Sequence, residues 1–316
     1  MTSVSWLSKA AIVAMAPFLG AIQLRAESAG AAAAVGWSAE DWPPGIIVPV
    51  IACALLYGLG VLRMRRRSGR LPLRRVSSFA AGGILLLAAL ASPMHEISEQ
   101  LFWVHMTQHE ILMVISAPLL VLSHPIAPLL WGLPGAGRRA VAKMASWKLV
   151  RRGSSLVSAP LTAWLLHALA LWGWHVPRLF VAALESEFLH ALQHICFLGT
   201  ALLFWGVLFG KKAGRLGYGG AILYVFTTAT HASVLGAWLT FSPRVWYAPY
   251  VQTSSIRHLT ALEDQQLGGL IMWIPAGTLL TIVALVFLGK WLEHSQQRWA
   301  YTRTAHLIRT AGGSTE

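Results

Sequence analysis

Cysteine is almost absent: Cys53 and Cys196 are the 2 in 316 residues. Both sit inside apolar runs, and neither forms part of a CxxC or CxxxC motif. That excludes a disulfide framework and a thiolate metal site, and the expectation for both is a small buried hydrophobe. Charge is scarce too. Asp, Glu, Lys and Arg make up 12% of the chain, against about 25% in soluble domains. With 56% hydrophobic residues, a water-soluble globule would expose too much apolar surface, and disorder is excluded by the same numbers. There is no DKTG phosphorylation motif or nucleotide domain, which excludes a copper-pumping ATPase, and no CxxCH haem-attachment motif. No repeat relates the two halves, so an inverted-repeat transporter is not indicated.

What remains is apolar sequence in long runs. Seven stretches, at 46–62, 76–93, 101–123, 160–176, 188–209, 221–241 and 267–288, are long enough to cross a bilayer. Helices are the only suitable form, because backbone polar groups in lipid must be satisfied within the segment. The ten-residue alternating strands of a barrel are absent. The fold class expected is therefore all-α, a polytopic membrane bundle of seven transmembrane helices occupying 46–290. Residues 1–26 carry one Lys, an apolar run and Arg25, and read either as a cleavable signal peptide or as an uncleaved extra helix. Residues 27–45 read as an exposed lead-in. The polar tail at 291–316 is expected to be partly disordered.

Basic residues orient this bundle. Twenty Lys and Arg fall after the first, third, fifth and seventh spans, and only Arg178, Arg244 and Arg257 fall on the opposite side. The positive-inside rule then puts the N-terminus outside and the C-terminus in the cytoplasm. Trp103, Trp172, Trp174 and Trp246 would lie near the outer ends, and Trp131, Trp291 and Trp299 on the inner side, as interfacial aromatics do. The segment 134–152 mixes basic and apolar residues. It suits either an amphipathic helix on an anionic leaflet or a solvated loop. The net charge of +13 thus belongs to membrane topology, not to a nucleic-acid partner.

The 12 histidines are biased the other way. His95, His105, His109, His175, His190, His194 and His258 map to the outer half, His167 and His231 to mid-membrane, and His124, His294 and His306 to the inner side. Two pairs share HxxxH spacing, His105 with His109 and His190 with His194. Residues four apart share a helix face. At 1.5 Å per residue the four rings fall in one layer, roughly 3 to 12 Å below the outer boundary. Imidazole suits copper, zinc, iron and nickel, and two helices could supply three or four nitrogens. The competing reading is that each His is a hydrogen-bonding contact between helices. Met94 and Met106 lie near enough in sequence to assist Cu(I). Glu110 could orient an imidazole or pair with another helix. His175 suits an additional ligand or an interfacial residue; His231 suits a polar contact or a ligand; His167 a satisfied core position; His95 a solvated loop. Glu263 and Asp264 complement a helix N-terminus, and Asp264 could also orient a ligating His. Gly268 and Gly269 permit close helix approach, and Pro275 could kink its helix.

Three stretches are distinctive as strings. The first is His105-Met-Thr-Gln-His109 followed by Ile-Leu-Met-Val-Ile-Ser-Ala-Pro118. The second is His190-Ala-Leu-Gln-His194 running into Phe204-Trp205. The third is Leu262-Glu-Asp264-Gln265-Gln266-Leu-Gly268-Gly269-Leu-Ile-Met-Trp273-Ile-Pro275. With the run ending Trp246-Tyr-Ala-Pro-Tyr250, they make the chain resemble the CtaG-type cytochrome c oxidase assembly factors of bacterial membranes, over roughly residues 37 to 290. The resemblance implies a non-enzymatic role in the bacterial plasma (inner) membrane: maturing a haem-copper oxidase, with a cytochrome c oxidase subunit and membrane lipid as partners. It implies provision of copper, for which His105, His109, His190 and His194 are the candidate ligands. The alternative expectation is a non-covalent haem-binding electron carrier, with paired His as axial ligands.

Overall fold

The computed structural model describes residues 44–67, 71–210, 216–253 and 259–312, with side chains placed between 45 and 299. The expected signal peptide and most of the lead-in lie outside the described residues, as does His258. Every regular element among the described residues is helical. In chain order they are α1 (Pro44–Arg67), α2 (Leu73–Leu90), α3 (Pro93–Gln100), α4 (Phe102–Glu110), a π-helical segment (Ile111–Ser116), α5 (Ala117–Leu122), α6 (Ile126–Gly132), α7 (Gly135–Ser146), α8 (Lys148–Val157), α9 (Pro160–Trp174), α10 (Pro177–Glu185), α11 (Glu187–Phe209), α12 (Gly217–Phe241), α13 (Tyr250–Thr253) and α14 (Ala261–Gly312).

Six helices or continuous helical runs are long and apolar enough to cross a membrane: α1, α2, the run from α4 to α5, α11, α12 and α14. A seventh crossing is made only if α8 and α9, bent 67° apart, count as one. Taken alone, α9 has 15 residues and is about 22 Å long, short of the roughly 30 Å hydrocarbon core. The chain is a multi-pass membrane protein of six to seven spans. Its surface agrees: Ile51, Leu55, Leu165, Ile195, Phe226 and Leu285 point outward from different helices.

Three segments whose order the sequence left open or read as irregular are helical. The mixed stretch at 134–152 forms α7 and the first half of α8, the helical one of its two readings. The polar tail continues α14 as far as Gly312, because Gln, Arg, Ala and Leu are good helix formers. His95 is not in a loop. It lies in α3, which Ser92 caps by accepting the Met94 N–H at 3.2 Å. The helix α14 also passes through Pro275 without ending.

Packing rests on small residues where backbones approach. At the crossing of α12 and α14, a Cβ on Gly269 would run into Thr240 and the Gly236 carbonyl, and a Cβ on Gly236 would meet Trp273 at 2.8 Å. A Cβ on Gly268 would enter the Phe102 ring, so this glycine lets α14 lie against the helix that carries His105 and His109. Elsewhere Gly60 and Gly132 let α1 and α6 touch, and Arg63 donates to the carbonyls of Trp131, Gly132 and Leu133 at 2.7–3.0 Å, closing the end of α6. Replacing Gly269 by Leu should cost about 1–3 kcal/mol through overpacking and lower the thermal midpoint of the detergent-solubilised protein. Gly289→Leu, with no neighbour within 4 Å, should leave that midpoint within the roughly 0.5 kcal/mol of a surface change.

Candidate metal centre

The helix α4 is buried on every side. His105, Met106, Thr107, Gln108, His109 and Glu110 are all inaccessible or nearly so. A helix this polar can be buried all round only if its neighbours hold it in place. Asp264, in the first turn of α14, does so. Its Oδ2 accepts the Phe102 N–H at 2.8 Å and its Oδ1 the Trp103 N–H at 2.9 Å. Leu101 precedes α4 and has no capping side chain, so a carboxylate from 162 residues away supplies the cap. The neighbours of Asp264 do related work. Glu263 and Thr260 form a reciprocal capping box on α14. Gln265 accepts the Trp246 N–H at 2.6 Å and donates to the Arg244 carbonyl at 3.0 Å. Asp264 therefore positions the helix that bears the imidazoles; the expectation that it orients a ring directly is corrected.

Facing α4 is α11, whose N-terminus Ser186 caps by accepting the Leu189 N–H. The two HxxxH pairs meet across this interface. Ring centroids lie 4.4 Å apart for His105 and His109, 4.5 Å for His190 and His194, 5.4 Å for His109 and His194, and 5.2 Å for His105 and His190. Within the cluster, His105, His109 and His194 each offer a ring nitrogen such that the three lie within 4.8 Å of one another, and all three residues are buried. The fourth ring, His190, groups instead with His95 and Glu99 within the same distance. His175 stands 6.2 Å from His109, ring to ring.

Hydrogen bonds fix which nitrogens are free to donate a lone pair. The Tyr250 hydroxyl donates its proton to the Ser98 carbonyl at 3.0 Å. It also lies 3.3 Å from His105 Nδ1; with its proton on the Ser98 carbonyl, the phenolic oxygen is placed to accept from Nδ1, an assignment that leaves the Nε2 lone pair of His105 exposed. Burial, then the charges of Asp264 and Glu99, push the Tyr250 phenol well above its ordinary range, which keeps it a donor. His175 Nδ1 donates to the Leu171 carbonyl at 2.6 Å, leaving Nε2 as an acceptor. In His105, His175, His190 and His194 the buried Nε2 has no hydrogen-bond partner, and in His109 neither ring nitrogen has one. Buried polar atoms are normally paired. Five such imidazoles together form a donor set that fits a metal ion held by nitrogen.

An aromatic wall closes the cluster. Phe102, Phe180, Tyr247 and Tyr250 pack ring to ring, and Tyr247 donates to the His175 carbonyl at 3.0 Å. These tyrosines were read in the sequence only as part of a resembling string. The other candidates separate from the site. Glu110 stands apart from the cluster: its Oε2 has no partner, and it lines a cavity of about 40 Å³ with Met113, His167, Trp205, Thr228 and Met272. His231 accepts from Trp172 Nε1 at 3.4 Å and packs on Trp164. His167 pairs with the Thr200 hydroxyl at 3.2 Å, a satisfied core position. Met106 packs in the main core and Met94 against the smaller one. What the sequence reading missed is His95 and Glu99. Their i, i+4 spacing was visible, but not that they lie on a helix.

The fold and the cluster define a class: a polytopic helical membrane protein with a layer of buried, lone-pair-bearing imidazoles near one end of α4 and α11. Comparison with known sequences adds the family. Residues 55–294 match the cytochrome c oxidase caa3 assembly factor family (Caa3_CtaG), and the chain belongs to it. It is also similar to uncharacterised proteins of Mycobacterium bovis and Mycobacterium tuberculosis, each 29% identical over 245 residues, and to one of Mycobacterium leprae, 24% identical over 253 residues. These matches cover 75–78% of this chain but only 37–38% of the relatives, so the matched region is well under half of those proteins. No solved structure matches.

Asp264→Ala should remove the cap of α4 at a cost of about 1–2 kcal/mol and lower the thermal midpoint. Asp264→Asn, which keeps an acceptor oxygen, should recover part of the loss in the same measurement. Tyr250→Phe should cost about 1 kcal/mol for the lost hydrogen bond, read in the same melt.

Proposed function

We propose that this protein is an assembly factor for a haem-copper cytochrome c oxidase in the plasma membrane. It would bind copper as cargo at His105, His109 and His194 and deliver it to the oxidase's catalytic subunit. The observation that supports this most is the convergence of three buried ring nitrogens from α4 and α11 within 4.8 Å, with buried nitrogens on all three rings lacking any other partner. Metal–nitrogen bonds of about 2.0 Å place ligand atoms roughly 3.3–3.5 Å apart, so modest ring rotations would complete the site. His175 Nε2 stands beside it as a further donor, and His190 forms its rim. The orientation read from the basic residues puts this layer under the external surface, where a periplasmic or extracellular domain of the oxidase could receive the ion. Nothing in the proposal requires catalysis, and the family describes assembly.

A set of neutral imidazoles without thiolate suits copper or zinc, and oxidase maturation favours copper. Transfer needs a labile coordination position, unlike a closed structural site, and a three-nitrogen set leaves one. The haem alternative is poorly served by the packing. Rings 4.4–5.4 Å apart in mutual contact leave no slot for a macrocycle between α4 and α11.

The test combines two measurements on His105→Ala with His109→Ala. Metal analysis of the detergent-purified variant should show one copper equivalent fewer than wild type. The variant should also fail to restore oxidase activity in a strain lacking the gene. Unchanged copper content would remove the site.

A further inference from the structure

His95 and Glu99 are four residues apart on α3 and therefore share one face of that helix. That face meets His190 of α11, and one ligand atom from each of the three lies within 4.8 Å of the others. The three are graded in exposure: Glu99 is open to the surroundings, His95 half-buried and His190 buried. His190 is 94% buried, with Nε2 unpartnered, and His95 Nδ1 is also buried without a partner. A carboxylate and two imidazoles form a mixed oxygen–nitrogen set of the kind that takes Cu(II) or Zn(II). A surface carboxylate beside a histidine is common, but here both imidazoles of the group also carry a buried nitrogen without a partner.

This triad stands directly against the buried one. The His190 ring stacks on His105 with centroids 5.2 Å apart and planes 15° from parallel, and it lies 4.5 Å from His194. His95 is 5.2 Å from His190 and 6.4 Å from His194. Each buried ligand of the outer set thus has a ligand of the inner set as its neighbour.

We infer that His95, Glu99 and His190 form a second metal site, a capture station through which a divalent copper ion passes to His105, His109 and His194. This rests on the buried site proposed above. Glu99 is the one carboxylate among the six ligands and the most accessible of them, so an ion arriving from outside meets it first. The inner set is all nitrogen and fully buried, so the ion exchanges a carboxylate for imidazole as it moves inward. The step is ligand substitution alone. Bonds to Glu99, His95 and His190 break as bonds to His105, His194 and His109 form; the ion keeps its charge, and no electron or proton needs a further acceptor.

The test uses the full chain in detergent and buffered Cu(II) as probe, reading bound equivalents and loading rate. Wild type should bind two equivalents. Glu99→Gln with His95→Ala should bind one and load it at least tenfold more slowly. Glu99→Gln alone changes an exposed side chain to its isostere, so folding is not at issue, and it should slow loading in the same direction. His105→Ala with His109→Ala should bind one equivalent at the wild-type rate. If the outer double variant kept both equivalents, or loaded as fast as wild type, the capture station would be overturned. If the inner variant kept both, the buried-site reading would fail and the relay with it. The outer variant's own loss would still mark that failure as separate.

Discussion

Asp264 joins the two ends of the sequence that make the site. Its carboxylate accepts the first two free N–H groups of α4, and it sits in the first turn of α14, which packs on α12 through Gly236 and Gly269. The depth and rotation of α4 are thereby referred to the longest helix of the bundle. Gly268, one turn further along α14, admits the Phe102 ring that opens α4. Cap and glycine act together: one fixes the helix end along its axis, and the other sets how closely the two helices lie. Moving either would shift His105 and His109 relative to His190 and His194, which belong to a different helix with its own cap.

That rigidity matters because the cluster is costly to bury. A polar group taken from water without a hydrogen bond loses about 1–3 kcal/mol in proteins, and here unpartnered nitrogens occur on six neighbouring histidines, His95, His105, His109, His175, His190 and His194. Aromatic rings make up much of their surroundings. Phe102, Phe180, Phe197 and Tyr247 present ring carbons, and Tyr250 and the Leu171 carbonyl satisfy only Nδ1 of His105 and His175. Those two bonds hold the protons on the far side of the rings and leave Nε2 free. An arrangement built for helix adhesion would pair nitrogens across the interface. This one leaves buried nitrogens unpaired, and that is the feature the copper proposal accounts for.

Much of this was legible in the sequence for plain reasons. Apolar runs report spans because lipid admits little else, and the observed helices begin and end within a few residues of the expected stretches, apart from α14, which starts early and runs on to Gly312. The HxxxH pairs report a shared face because helical geometry is fixed, and their meeting needed only that α4 and α11 be adjacent. What was not legible depended on contacts between distant segments. Asp264 looked like a dipole residue because its partners lie 162 positions away. His95 and Glu99 looked like loop residues because α3 has 8 residues and a mean character too polar to signal a span. Leu101, extended at φ −131° and ψ 120°, separates α3 from α4, so no single periodicity runs through His95, Glu99, His105 and His109. The fourth span looked ordinary by composition, yet α9 is only 15 residues long.

The π-helical segment below the site shows how one helix serves two neighbours at different depths. On a regular helix Ser116, eleven residues after His105, would face nearly the same way, since eleven steps of about 100° come within about 20° of whole turns. It would then point at α11. Pro118 has no N–H to give the carbonyl of residue 114, and ahead of it the backbone widens into a π turn over Ile111–Ser116. One residue added to a turn rotates everything beyond it by about 100°. Ser116 accordingly donates to the Gly82 carbonyl of α2 at 2.7 Å. The widened turn must still satisfy its carbonyls in a dry interior, and Trp205 of α11 donates its indole N–H to that of Met113 at 2.8 Å. So α11 meets this span twice: above with imidazoles whose nitrogens stay unpaired, and below with an indole that pairs. The lower contact anchors the two helices, which allows the upper one to remain available for chemistry.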